Sequence, residues 1–288
     1  MFRILMNRVR RNVWNVTPFV ILVLGMISVL LVPTAPKAAA SDVEQWSVDS
    51  KLLTATYYYV LDTAHLGGAN NTVWRSNLEV CNFGMGFNSF ELQFLVFNQA
   101  NLNPAVAAYG LGANLCRRYN DVLANVFNEQ SSKGTVRIET QDSGLRAVAR
   151  TFNFSPSGTY GQFSEGRFAS EGVGPGDAGS IIHLSQATGN NTGFRTNVSL
   201  QNTTAGNIRV HMDCFLNDGT NLGRVTRDLL AYEYDQIGTI FREVTQSEVV
   251  DGYIILTTPT AGGQFLAAGS MVDNQTGDGT TIPMERIP

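Results

Sequence analysis

Asn70-Asn71-Thr72-Val73-Trp74-Arg75-Ser76-Asn77-Leu78 reads against Asn190-Asn191-Thr192-Gly193-Phe194-Arg195-Thr196-Asn197-Val198 at a constant offset of 120 residues. The match runs without a gap from residues 69–98 onto 189–218, with Asn82 on Asn202 and Gly86 on Gly206. Identities are few, but aromatic falls on aromatic, hydroxyl on hydroxyl and aliphatic on aliphatic. Like residues at one fixed spacing mark a repeated unit. Within the first copy, Trp74, Ser76, Leu78 and Val80 alternate with Arg75, Asn77, Glu79 and Cys81. That period of two is the pattern of a strand with one buried face. Phe90, Leu92, Phe94 and Val96 resume it after a turn at 83–88, which predicts a hairpin. The repeated unit is therefore β-rich.

Outward from these stretches, both units continue in the same style. The first begins with Ala55-Thr56-Tyr57-Tyr58-Tyr59-Val60-Leu61, rich in strand-forming residues. A short helical turn is predicted at 120–127, where Asn120 caps, Asp121 favours the helix start and Val122, Leu123, Val126 and Phe127 recur at helical spacing. Residues 234–241 repeat this turn, setting Asp235 on Asp121 and Phe241 on Phe127. Turn signals every 8–12 residues and about seven short strands per unit predict an antiparallel β-sandwich. The expected division is a signal peptide at 1–40, a lead-in at 41–52, a first sandwich at 53–157, a Gly/Ser/Pro-rich linker at 158–179 and a second sandwich at 180–288.

The amino terminus points to export. Arg3, Arg8, Arg10 and Arg11 precede a fourteen-residue apolar run, 19–32, and Ala38-Ala39-Ala40 supplies small residues before Ser41. This is the layout of a cleaved secretory signal. As a helix, the run would span about 21 Å of a roughly 30 Å hydrocarbon core, short for a membrane anchor. Residues 1–40 hold five of the 20 bases and none of the 24 acids, so the remainder carries a net charge of −9 with Lys51 and Lys133 as its lysines. Such a surface repels phosphate backbones and does not dock electrostatically on anionic lipid. Nucleic acid is excluded as a partner, and membrane contact is expected only through an uncleaved signal segment.

Motifs for catalysis are missing: there is no Gly-x-Ser-x-Gly elbow, P-loop, His-Glu-x-x-His or Cys-x-x-Cys. No enzymatic role is expected. Asp273, Asn274 and Asp278 form an oxygen-rich, glycine-bounded stretch able to hold Ca²⁺ or, without an ion, to cap its own turn. No other cofactor is implied. Arg75 and Arg195 each follow an aromatic anchor; they offer a site for an anionic or sugar ligand, or pair with the Asp121 and Asp235 turns. Tyr57 and Tyr59 share a strand face that either binds carbohydrate or packs inside the protein. Cys81 and Cys116 both belong to the first unit and are left as a disulfide or two independent thiols, while Cys214 continues an inward series and reads as a buried thiol.

Phe194-Arg195-Thr196-Asn197-Val198-Ser199-Leu200-Gln201-Asn202, the turn from Asp235 to Phe241, and Ser270-Met271-Val272-Asp273-Asn274-Gln275-Thr276-Gly277-Asp278 together resemble a group of bacterial proteins predicted to be secreted. Those proteins carry tandem immunoglobulin-like β-sandwich repeats and are mostly of unknown function. The resemblance covers about residues 55–287, although the first unit lacks the Asp-Asn-x-Thr-Gly-Asp ending. It implies export and two immunoglobulin-like sandwiches after a signal helix, and it carries no catalytic residue across. The expectation is a secreted or cell-surface structural or binding protein, adhesive or scaffold-like, with a protein or glycan partner. Residues 67–72, 189–193 and 273–280 are the loops where a ligand would meet it. A carbohydrate-binding accessory protein and a secreted hydrolase are the alternatives.

Overall fold

The alternating segments form antiparallel strands in a computed structural model that describes residues 55–68, 72–155 and 158–288. The expected signal segment and lead-in lie outside these residues. In the N-terminal half the elements are β1 (Thr56–Gly67), β2 (Val73–Asn82), β3 (Asn88–Val96), β4 (Ala105–Leu111), β5 (Leu115–Tyr119), α1 (Val122–Phe127), β6 (Ser132–Thr140), β7 (Leu145–Ser155), β8 (Gly158–Glu165) and β9 (Arg167–Phe168). The C-terminal half has β10 (Gly179–Gln186), β11 (Phe194–Asn202), β12 (Ile208–Leu216), β13 (Asn221–Leu229) and β14 (Tyr234–Ile237). After a 3₁₀ turn at Ile240–Glu243 come β15 (Val249–Thr257), β16 (Phe265–Asp273), β17 (Gly279–Pro283) and β18 (Glu285–Arg286). The protein is all-β in class.

Strand order is shared by the two halves. The C-terminal half has one sheet ordered β13-β12-β15-β10, with β18 beside β10, and a second ordered β14-β11-β16-β17. The N-terminal half has β4-β3-β6-β1 and β5-β2-β7-β8, made continuous where the tips of β1 and β2 pair through three residues. Inward residues from both members of each pair make the core. Tyr58, Val60, Leu92 and Ile138 meet Leu78, Val80 and Leu145 in the first; Ile181, Val210, Met212 and Leu256 meet Val198, Leu200 and Phe265 in the second.

Smaller devices recur as well. Asn82 accepts from Gly84 N–H and donates to the carbonyls of Gly86 and Leu111. Asn202 accepts from Thr204 N–H and donates to the carbonyls of Gly206 and Leu230. Gly134 and Gly252 occupy matching places where the neighbouring strand comes too close for a side chain: a Cβ would sit 2.0 Å from Leu95 O in one and 3.0 Å from Phe215 O in the other. Left-handed backbone occurs in matched pairs too, at Asp62 and His183 (φ 61° and 60°) and at Asp121 and Thr239 (φ 46° and 49°).

Three sequence expectations change. The stretch 158–179 is not a free linker, since β8 pairs with β7 along its whole length and β9 lies beside β1. Gly161 permits close strand contact: a Cβ there would fall 2.3 Å from Thr151 O. Residues 234–237 form a strand, and only Ile240–Glu243 turn helically. Asp121 corresponds to Thr239, not Asp235: Asn77 Oδ1 accepts from Asp121 N–H, as Asn197 Oδ1 does from Thr239 N–H. Leu123 accordingly matches Phe241, both buried behind that cap.

Within the described residues the two halves belong to one compact unit. A third core lies between them, built from Tyr59, Leu61 and Leu95 on one side and Tyr234, Leu266 and Ala268 on the other. This explains the apolar run in β1. Tyr58 and Val60 point into their own half while Tyr59 and Leu61 point at the other, so the strand is covered on both faces.

Candidate functional site

A polar cavity of about 190 Å³ lies along the seam between the halves. Asp62, Lys133 and Trp74 line it from the N-terminal half, and Arg195, Tyr234 and Gln236 from the C-terminal half. Its centre is prepared by a bulge in β1, where the register against β6 shifts between Val60 and Thr63. Asp62 takes the left-handed conformation there, which aspartate tolerates better than most residues. The bulge frees backbone groups that side chains then satisfy. Thr151 Oγ1 donates to Asp62 O (2.7 Å), and Ala64 N–H donates to Ser76 Oγ (2.7 Å).

Asp62 is buried, and its Oδ1 accepts from three C-terminal residues: the Tyr234 hydroxyl at 2.6 Å, Gln236 Nε2 at 3.3 Å and the Ser199 hydroxyl. Its Oδ2 is buried without a hydrogen-bond partner. Burial raises the Asp62 pKa above the usual carboxylate value, against the opposing pull of the hydroxyl donors and Lys133. Lys133 Nζ donates to Gln236 Oε1 at 2.9 Å and lies 4.0 Å from the centre of the Phe97 ring. Desolvation lowers the Lys133 pKa, with Asp62 and Asp235 acting against it. Tyr234, fully buried beside Asp62, is held well above the ordinary phenol value by desolvation and by that carboxylate.

The chemistry of this arrangement is that of a latch. Ligand sites commonly occupy about 300–1,000 Å³; at about 190 Å³ this cavity falls below that range. The hydroxyl of Ser199 is directed at a carboxylate, with no imidazole among the cavity-lining residues to activate it. Further along the seam, Ser270 Oγ donates to Gln162 Oε1 (2.6 Å) and Gly161 N–H donates to Asp278 Oδ1 (3.1 Å). Asn98 and Asn101 N–H groups donate to the carbonyls of Tyr234 and Ala231 at 2.9 Å each. Polar groups in this region thus bind one half to the other.

The sequence-predicted site residues are dispersed. Tyr59 is 1% exposed inside the seam core, so it has no face to offer a glycan. Tyr57 is partly buried, with the Arg137 guanidinium 5.2 Å from its ring centre. Arg75 lies 3.7 Å from the Asp121 carboxylate, which also contacts His65 Nδ1 at 2.8 Å. Arg195 does not pair with Asp235. It lines the cavity and donates to Asn274 Oδ1 at 2.9 Å, while Asp235 lies 3.9 Å from Arg227.

The side chains of the oxygen-rich stretch are engaged by the protein's own groups. Asp273 Oδ1 accepts from the Gln275 and Thr276 N–H groups at 2.7 and 2.8 Å, and those bonds hold its carboxyl below the usual range. Asn274 Nδ2 donates to the carbonyls of Gly189 and Thr192, while its Oδ1 faces the Arg195 guanidinium. A cation placed on Asn274 would meet that positive charge. Two of the loops expected to meet a ligand, 189–193 and 273–280, are therefore bonded to each other; residues 69–71 of the third lie outside the described residues. Cys81 and Cys116 face each other in register across β2 and β5, Cα atoms 4.0 Å apart, and form a disulfide. Cys214 is a buried free thiol whose pKa burial pushes up to about 12.

Sequence reasoning passed over Asp62, Lys133, Ser199, Tyr234 and Gln236. One signal was available: a lone acid inside the apolar run 57–64 must find partners when buried. No family model matches the chain, and no curated protein does. Among solved structures, the crystal structure of Thermotoga maritima 1070 is similar over 39% of this chain and 92% of that one, at 12% identity and a TM-score of 0.32.

Proposed function

We propose that this chain is an exported, non-enzymatic structural or binding protein of the cell surface or extracellular space. In this reading it is a rigid scaffold of two immunoglobulin-like sandwiches related by internal duplication. The observation that carries the reading is the Asp62 latch, in which one buried carboxylate gathers three donors from the other half. A hub of that kind fixes the relative position of two modules, the property a scaffold or adhesin uses when it presents surfaces at set spacing. The strand pairing supports the immunoglobulin-like assignment. The order β8-β7-β2 follows strands G, F and C of such a sandwich, and β1 beside β6 follows B and E; the C-terminal half repeats both. The Cys81–Cys116 disulfide is at home in an oxidising compartment. The N-terminal pattern of basic, apolar and small residues supports export.

The test is a panel of ester, peptide and glycoside substrates presented to the purified protein and to the Asp62→Asn and Ser199→Ala variants. The scaffold reading expects no turnover by any of the three. Turnover by the unaltered protein that either variant abolishes while remaining folded overturns it.

A further inference from the structure

We infer that the loop joining β2 to β3, residues 83–87, is a lipid-insertion tip that seats this end of the protein in the interfacial zone of a bilayer. Its sequence is Phe83-Gly84-Met85-Gly86-Phe87. All three large side chains stand in solvent, Phe83 at 63%, Met85 at 102% and Phe87 at 73% exposure. Leu115, opposite Asn82 in the β2–β5 register, adds a fourth exposed apolar side chain at the same end. Single exposed apolar residues are ordinary; several on one projecting loop mark an interaction site.

The molecule contains its own control. The matching loop of the other half, Thr203-Thr204-Ala205-Gly206-Asn207, hangs on the same asparagine frame but carries no large apolar side chain. The matching half folds without large apolar side chains at these positions, so most of the apolar surface of Phe83, Met85 and Phe87 is not needed by the fold, although the Phe87 ring also covers Gly110.

One observation makes the loop compatible with lipid, and a second favours lipid as the occupant. The loop's backbone is partly satisfied from within: Asn82 holds Gly84 N–H and Gly86 O, and Phe83 N–H donates to Gly144 O at 3.0 Å. Hydrocarbon supplies no hydrogen bonds, so a loop that enters it must bring its own. The second observation is where the remaining chain begins. β1 starts with Thr56 opposite Thr140, whose hydroxyl donates to Asn88 Oδ1 at the foot of the tip. The preceding chain, which contains the apolar run 19–32, thus joins the folded unit at the same end as the tip. A chain held at the membrane by that run during export is therefore tethered at the end that carries the tip. Attraction here is apolar, consistent with the exclusion of polybasic docking by composition, and the tip lies near Asp142 as well as Arg146.

Because Cys81 and Cys116 are oxidised and Cys214 is buried, Met85→Cys introduces the one readily labelled thiol of the full chain. An environment-sensitive fluorophore at position 85 is mixed with phosphatidylcholine vesicles, with and without brominated acyl chains. The expected result is a blue shift and bromine quenching at position 85, and neither at the matching position labelled through Ala205→Cys. Adding Phe83→Ser and Phe87→Ser to the position-85 label should lower the inserted-to-free ratio roughly a hundredfold, about tenfold for each aromatic side chain withdrawn. An unshifted, unquenched label at 85 on vesicles that carry the protein overturns the inference. So does equal quenching at 85 and 205, which means the N-terminal segment alone holds the chain there. A label shielded only at high protein concentration, without lipid, reassigns the tip to contact between copies and overturns it equally.

Discussion

Replacing Asp62 tests the latch and the electrostatics behind it together. Asp62→Ala removes the acceptor of two hydroxyls and an amide, and an unpaired buried donor costs roughly 1–3 kcal/mol. Alanine in the left-handed conformation adds about 1–2 kcal/mol. Release from desolvating a carboxylate offsets part of this, and breaking a buried ionic network typically nets roughly 3–5 kcal/mol of lost stability. Asp62→Asn isolates the charge, because asparagine tolerates the same backbone and still presents Oδ1. Burial raises the Asp62 pKa in the folded state above its unfolded value near 4. The folded form therefore keeps its proton to higher pH than the unfolded form does. Between those two values the unaltered protein loses stability as pH rises, by at most about 1.4 kcal/mol per pH unit, and Asp62→Asn does not. Urea unfolding followed by circular dichroism at several pH values from 4.5 upward measures the difference. The asparagine variant should gain on the unaltered protein as pH rises and then hold a constant lead. A difference that is flat throughout, or that shifts toward the aspartate with rising pH, refutes the burial argument.

Reduction of Cys81–Cys116, which closes a loop of 35 residues' separation, should lower stability by about 4 kcal/mol on the loop-entropy relation, read as a lower unfolding midpoint with reductant. Cys214 should ignore a thiol reagent such as dithionitrobenzoate in the native state and react once per chain on unfolding; fast native labelling would contradict its burial. Asn82→Ala removes three hydrogen bonds and Asn202→Ala four from corresponding loops, and both should cost similar amounts, roughly 2–4 kcal/mol by urea unfolding. Large loss in one with none in the other would break the correspondence of the halves.

What was legible in the sequence was what depends on neighbours in the chain. Alternation around Trp74 and Phe90 is set by one buried face and one open face, so β2 and β3 could be read directly. Asn82 and Asn202 were recognisable because each serves a turn only a few residues away. The seam was hidden because it rests on contacts between residues 103–174 apart, such as Lys133 with Gln236 and Asp62 with Gln236. Gln201 shows the consequence: it points away from its own core, as Cys81 does, yet it is buried, on the strand face it shares with Tyr234 and Leu266 of the seam core. The glycine-rich stretch around 161 was misread for a related reason. Composition registers missing side chains but not the strand that needs their absence. The Asp121–Asp235 match failed because matching letters were chosen over the cap that Asn77 and Asn197 define.

The most direct test of an exported, oxidised, latched scaffold is the intact mass of the protein recovered from its own cells, taken without reductant from separated cytoplasmic and exported fractions. The account predicts one species in the exported fraction, beginning at Ser41 and two hydrogens lighter than the fully reduced chain. A cytoplasmic species that retains residues 1–40 and carries three free thiols would contradict it.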